Sequence, residues 1–451
     1  MRQSTGLKEE SAALPRQRRI YWACLLLALL ARCAFVAFSD PHSIKSRWTT
    51  VTDAALYDRF GWNLASEGTL GSRSSPSAFC MPAYPIFLAA AYSIAGHLPG
   101  AVRLAQVLVG LATIFLLGRM ARCLGGRNAE LLAVAIGAIY PYFIYYTGEI
   151  LTETLFIFAL SGALLSAALV GHHGRLRDGV LHGLFAAVLV MTRPTGVFLE
   201  LGILILARPW TKERRRRRSL ALLAAAVLVA LTWSPWIIRN RRVFGETVLL
   251  DTHGGWGLYT GQLLSRQVSL EEINARVGYS HLSIYEGTLP GGPQGELRED
   301  RRCKREAIEM IRADIPAFLR TVLHNASRLW ISLDMRDAAR AGGGGFLTLV
   351  GWLSYFPLLI LGLAGLWQLG RTARWVPLAA VVAVFGLSTA LHGIVLGGQR
   401  YRVATIDPFL LVLASWEATV LGAAFLARRG EQSMGIPSPG GRTHPNPHET
   451  I

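Results

Sequence analysis

The chain has 451 residues, of which 52% are hydrophobic and only 17% charged, and its mean hydropathy is positive. That balance excludes an ordinary soluble enzyme and makes the bilayer the solvent for most of the fold. The formal charge of +17 does not point to nucleic acid, because the basic residues cluster at the ends of apolar runs, where they set orientation and meet anionic membrane lipids. Cys24, Cys33, Cys80, Cys123 and Cys303 form no CxxC pair and have no histidine at ligand spacing, so neither a zinc site nor a disulfide framework is expected.

In chain order, residues 1–19 read as a cytoplasmic tail, and the apolar run from Ile20 reads as an uncleaved first transmembrane helix. Ten segments are able to span: 20–38, 101–121, 129–147, 153–171, 178–192, 194–208, 219–238, 346–367, 375–396 and 402–427. The stretch "PAYPIFLAAAYSIAG" at 82–96 reaches only about 22 Å as a helix. If it does not span, Arg119/Arg122/Arg127, Arg175/Arg177, Lys212 with Arg214 to Arg218, Arg371/Arg374 and Arg428/Arg429 all lie on the side of the basic N-terminus. The positive-inside rule therefore makes 82–96 an interfacial helix and puts both termini in the cytoplasm.

This topology leaves two large outer regions, 39–100 and 239–345. The predicted architecture is an all-α polytopic bundle of about ten transmembrane helices with juxtamembrane helices and a small extracytoplasmic cap at 239–345. Residues 20–238 form the N-terminal transmembrane module, residues 346–427 the C-terminal helices, and 428–451 a disordered cytoplasmic tail. Within the cap, Ile308, Ile311, Ile315, Leu319, Val322 and Leu323 recur at helical spacing and predict one amphipathic helix on the membrane surface.

Polar groups suited to chemistry collect on the outer face. Asp53 and Tyr57 share a face if 51–71 is helical, while Asp58 points well round from them. Glu149 and Glu153 are also four apart, at the mouth of a span, where a carboxylate is costly unless paired or functional. Such acids could hold a divalent cation through oxygen ligands, or act as base and stabiliser. Arg193, Arg239, Arg241, Arg400 and Arg402 supply guanidinium groups at the depth of a lipid phosphate, which they bind bidentately; headgroup snorkelling is the plainer alternative for each.

Several stretches, in order, resemble a known family: "TDAALYDRFGWNLASEGTLG", "FCMPAYPIFLAAAY", "YPYFIYYTGEILTETLFIFAL", "LVMTRPTGVFLELGIL", "PWIIRNRRVFGETVLLDTHGGWGLYTGQ" and "RYRVATIDPFLLVLA". The series is similar to bacterial members of the dolichyl-phosphate-mannose–protein mannosyltransferase group, GT-C glycosyltransferases related to the aminoarabinose transferases. The resemblance implies transfer from a polyprenyl-phosphate sugar donor to a glycolipid, lipopolysaccharide or protein acceptor, at the extracytoplasmic side of the inner membrane. It makes Asp53 the general base or a cation ligand, with Glu149 and Glu153 in support; from the residues themselves, Asp53 and Glu149 are the expected ligands of any magnesium or manganese ion, and Tyr57 with the five arginines the expected substrate contacts. Two departures stand out: Ala54 follows Asp53 where many members have a second acid, and Met81 replaces the lysine of the aminoarabinose transferases. Ion or solute transport is the competing function, since charges inside a polytopic fold also mark transport paths.

Overall fold

The computed structural model describes residues 2–38, 40–44, 53–208, 215–266, 268, 272–273, 291–331 and 344–433. Among them there is no strand, only an isolated bridge between Gly71 and Pro76. Among the described residues, seven helices are long and apolar enough to cross a membrane. They lie within α1 (Arg2–Ala37), α4 (Pro99–Ile139), α6 (Glu153–His173), α9 (Arg215–Phe244), α13 (Gly344–Arg371), α14 (Trp375–Ile394) and α16 (Asp407–Ser433).

Several expected spans are cut differently, for reasons of backbone chemistry. α4 covers the expected 101–121 span and the start of the next, and folds back at Gly125 and Gly126. Gly126 has φ 72°, a left-handed conformation that side chains with a Cβ resist. The two limbs then run antiparallel, with Gly118 against Val134 and Gly137 against Ile114. The expected 129–147 span breaks at Tyr140, before Pro141 starts the short helix α5 (Pro141–Gly148). The segments expected at 178–192 and 194–208 are occupied by α7 (Leu176–Thr192) and by α8 (Thr195–Ile203) with its 3₁₀ extension Leu204–Ala207. The last expected span, 402–427, is two helices, α15 (Gln399–Thr405) and α16, broken at Ile406. The predicted amphipathic cap helix is likewise two, α11 (Gly292–Ala313) and α12 (Ile315–Ile331), with Asp314 between them.

Small residues let the helices approach closely, as helices without a hydrophobic drive to associate require. Gly179 and Gly183 of α7 are four apart, and a Cβ on either would collide with the backbone of Ala221 or Ala225 on α9. Inside the bundle His182 meets Glu200 at 2.8 Å and Ser166 at 3.3 Å, joining α6, α7 and α8. Arg32 spends its donors on the carbonyl oxygens of Ala28, Gly137 and Ala138.

Contacts also gather the basic clusters at one end. Arg374 donates to the Leu124 carbonyl beside the α4 turn, Arg122 and Arg127 hold Glu130, and Gly174 abuts Arg218. The other end carries α2 (Asp53–Glu67), α3 (Ala83–Ala95) and the cap helices, including α10 (Gly254–Ser265). With 13 residues, α3 reaches about 20 Å, short of the hydrocarbon thickness.

α2 is clamped onto α3 by Asp58, which is buried, accepts a short hydrogen bond from Tyr92 and faces His97 at 2.9 Å. Asp58 is thereby explained as a structural acid. The segment after α2 is stitched to the cap: Glu296 accepts from the Ala78 amide at 3.0 Å and from the Thr252 hydroxyl, and Arg239 donates to the Leu70 carbonyl at 3.0 Å.

Arg402 lies in the core, 3.2 Å from Asp407, with its guanidinium against the rings of Tyr355 and Tyr142. Tyr140 donates to the second Asp407 oxygen at 2.6 Å. Replacing Arg402 by leucine strands a buried carboxylate, and the expected cost is about 3–5 kcal/mol. A thermal melt of the detergent-solubilised Arg402→Leu protein should show a large loss of stability.

Candidate active site

The end opposite the basic clusters holds a connected row of charges. Arg400, in the second position of α15, donates to Asp53 at 2.6 Å and makes a shorter contact with Glu153. Arg193 donates to the same Glu153 oxygen at 2.6 Å and to the Thr152 hydroxyl at 2.6 Å, with its guanidinium over the Phe156 ring. Two cations therefore alternate with two carboxylates drawn from four separate segments of the chain.

Local backbone structure explains each position. Asp53 opens α2, where a carboxylate favours the positive end of the helix dipole. Glu153 opens α6 for the same reason, and α6 is the most enclosed of the long spans, with 78% of its most apolar window buried. Arg193 stands between α7 and α8 in extended conformation just before Pro194, which cannot continue the preceding helix. Arg400 follows the extended Gly398 at the start of α15.

Burial works against charge on Arg400, but Glu153 and then Asp53 hold the guanidinium charged, well above its ordinary range. Burial raises the Tyr57 phenol, and the Asp53 carboxylate raises it further. The Tyr401 phenol also goes up by burial, opposed by Arg400. Tyr57 meets Tyr84 edge to face at 5.2 Å, and Tyr401 stacks on His392 at 4.5 Å. These aromatic groups wall the charged row, so a bound anion there would meet guanidinium groups in a setting drier than bulk water.

Of the residues singled out in the sequence, Asp53, Tyr57, Glu153, Arg193 and Arg400 come together. Glu149 does not share a helix face with Glu153: α5 ends at Gly148, and Glu149 is extended at φ −95° and ψ 140°. Glu149 is buried, its carbonyl accepts from Gln106, and its charge is felt by Arg103, which is itself fastened to the carbonyls of Gly148, Asp40 and Ser43. Arg402 belongs to the core, Arg239 holds Leu70 and Asn240, and Arg241 is exposed. Asp53, expected with Glu149 to hold any cation, is paired with Arg400. Among the described residues no group of three or more histidine, cysteine or acidic side chains is placed to hold a metal.

Sequence reasoning missed Thr152, Tyr401 and His392, and the acids of the cap. Asp251 lies after α9 and is pushed up to about 7 by burial, with Asp300 and Glu296 adding to the shift. In "QRYR", Arg400 and Tyr401 reach the charged row while Arg402 turns into the core.

Residues 76–238 match the family described as Dolichyl-phosphate-mannose-protein mannosyltransferase. No curated protein matches the chain in sequence. Among solved structures, the oligosaccharyltransferase of Archaeoglobus fulgidus in complex with zinc and sulfate is similar, with TM-score 0.53, 15% identity, and coverage of 92% of this chain and 51% of that one. Its apo form gives TM-score 0.54 at 14% identity, with 92% and 52% covered. ArnT from Cupriavidus metallidurans bound to undecaprenyl phosphate gives TM-score 0.40 at 14% identity, with 93% and 81% covered. The chain thus spans about half the length of the oligosaccharyltransferase it matches. The chain shares its fold with that oligosaccharyltransferase, a GT-C membrane glycosyltransferase, and its apolar helices make it a multi-pass membrane protein.

The raised Asp251 carboxyl has a consequence for stability. Its folded form retains a proton that the unfolded form, with a carboxyl of 3.8, releases, so stability contributed by the neutral group is present at low pH and lost as pH rises from about 4 to about 7. Hydrogen-exchange protection over residues 251–266, corrected for the intrinsic rise of exchange with pH, should fall across that interval, and Asp251→Asn should flatten the dependence.

Proposed function

We propose that this chain is an integral-membrane glycosyltransferase that moves a sugar from a polyprenyl-phosphate carrier to a glycolipid, lipopolysaccharide or protein acceptor at the extracytoplasmic face of the inner membrane. The observation that carries this reading is the placement of Arg400 between Asp53 and Glu153, beside Arg193. Two guanidinium groups at the membrane surface suit a lipid-linked phosphate, whose tail lies between helices while its headgroup stays at the interface. The family match over 76–238 and the GT-C fold support the same class of reaction.

In this mechanism the donor phosphate competes with Asp53 for Arg400. Glu153 stays with the two arginines, offsets part of their mutual repulsion and fixes their direction. Asp53, released from Arg400, accepts the proton of the acceptor hydroxyl or amine as that group attacks the anomeric carbon. The bond from the anomeric carbon to the phosphate oxygen breaks, and the charge growing on the phosphate is met by Arg400 and Arg193. A single displacement of this kind inverts the anomeric configuration. Tyr57 and Tyr401 flank the row and would present ring faces and hydroxyls to the sugar.

The arginines supply the positive charge in this scheme, and no step is routed through a magnesium or manganese ion. The zinc and sulfate named with the oligosaccharyltransferase leave a metal open to direct test, by transfer assays after chelation and readdition. The transport alternative draws no support from the interior charges: Arg32 is tied to backbone carbonyls and Arg402 to Asp407.

The test is transfer measured by mass spectrometry in membranes supplied with synthetic polyprenyl-phosphate sugars. Asp53→Asn should lower turnover by about 10²-fold or more. Arg400→Gln should weaken donor use most strongly, with Arg400→Lys only a partial substitute because lysine lacks the planar fork. Full transfer by a folded Asp53→Asn protein would remove Asp53 from the mechanism.

A further inference from the structure

A second feature lies at the opposite end of the bundle from the charged row. A cavity of about 840 Å³ opens between α4, α6, α13, α14 and α16. That volume falls within the range of about 300–1,000 Å³ typical of small-molecule sites. Its floor is apolar and buried, formed by residues such as Leu164, Leu206, Phe409 and Leu413. Its mouth is formed by exposed residues of a different kind: His172, Arg374, Trp375 and Cys123.

Position separates this cavity from the candidate active site. Glu153 opens α6 and His172 lies in its last turn, so the 21-residue helix sets the two sites about 30 Å apart. The cavity is also at the end where the basic clusters gather, which the positive-inside rule makes the cytoplasmic end.

The surroundings of the mouth carry an excess of positive charge. Arg119, Arg122 and Arg127 surround the one carboxylate of Glu130, at 3.6, 3.1 and 2.7 Å. Arg374 is held across the opening by its bond to the Leu124 carbonyl at 3.0 Å and by its stacking over Trp416 at 5.1 Å. A guanidinium has five N–H donors, so one bond to a carbonyl fixes its direction without exhausting its capacity. His173 is turned toward Asp178 at 3.6 Å, which makes Arg374 the cation best aimed at the mouth.

An apolar bore with a cationic rim at the membrane surface has the form of a lipid. We propose that this cavity seats an acyl chain of an anionic glycerophospholipid, with the headgroup phosphate at Arg374. The apolar floor accounts for the chain, and the surplus of arginines accounts for the sign of the headgroup. A lipid wedged between α4, α6 and α14 would brace α6, whose other end carries Glu153 of the charged row.

The experiment uses the purified full chain, delipidated in detergent and offered equal amounts of dioleoyl phosphatidylglycerol and dioleoyl phosphatidylcholine, read by native mass spectrometry. Wild type should retain one phosphatidylglycerol with about a tenfold preference, equivalent to about 1.4 kcal/mol. Ala168→Trp, which fills the bore, should abolish retention, and Arg374→Gln should keep a lipid but lose the preference. Equal uptake of the two lipids by wild type, or unchanged retention by Ala168→Trp, would overturn the proposal. Should Ala168→Trp fail to fold, phosphatidylglycerol with a diazirine in its acyl chain decides the matter on wild type. Crosslinks must map to α6 and α14 around Leu165 and Val376, and crosslinks that map elsewhere refute it.

Discussion

A guanidinium held between two carboxylates at the edge of a membrane is the interaction on which the rest of this structure depends. Arg400 reaches Glu153 across 247 residues of sequence and Asp53 across 347, so one side chain closes the bundle by joining its first outer helix, its most enclosed span and its C-terminal region. A charge in that position is expensive in isolation and tolerable only when paired. The pairing does more than offset the cost. It places a carboxylate and two cations within reach of one another, the arrangement that the proposed phosphate-linked donor would enter by exchange.

The bundle beneath supports that row through close contact between small residues. Gly179 and Gly183 admit α9 to within backbone contact of α7, and the left-handed turn at Gly126 folds α4 back so that its basic turn lies far from the site. The opposed ends therefore differ in character. One carries carboxylates, aromatic rings and a cap. The other carries arginines and an apolar cavity. The cap is joined to the first outer loop by Glu296, whose contacts with Ala78 and Thr252 hold the segment after α2 in place. Residues with no part in chemistry thus determine where Asp53 can be.

Two arginines two residues apart illustrate how far environment decides role. Arg400 faces the charged row, and Arg402 is buried against Asp407 and two tyrosine rings. In sequence they are alike, and a reading from residue type alone makes both of them phosphate ligands. The short helix α15 turns them to different sides, one toward the interface and one into the core.

What the sequence determined by itself was set by solvent and by pattern. Apolar length and the placement of arginine clusters suffice to read a polytopic helical protein, because burial of backbone in hydrocarbon permits helices and little else. The ordered series of motifs singled out Asp53, and helical spacing alone pointed Asp58 away from it. Tertiary structure alone decided which ends of helices meet. It left Glu149 outside the helix that Glu153 opens, by ending α5 at Gly148, sent Arg402 and Arg239 to structural partners, and brought Arg193 and Arg400 to one carboxylate. The reason is physical: spacing along a helix governs direction only while the helix lasts, and pairing between charges distant in sequence depends on how helices pack.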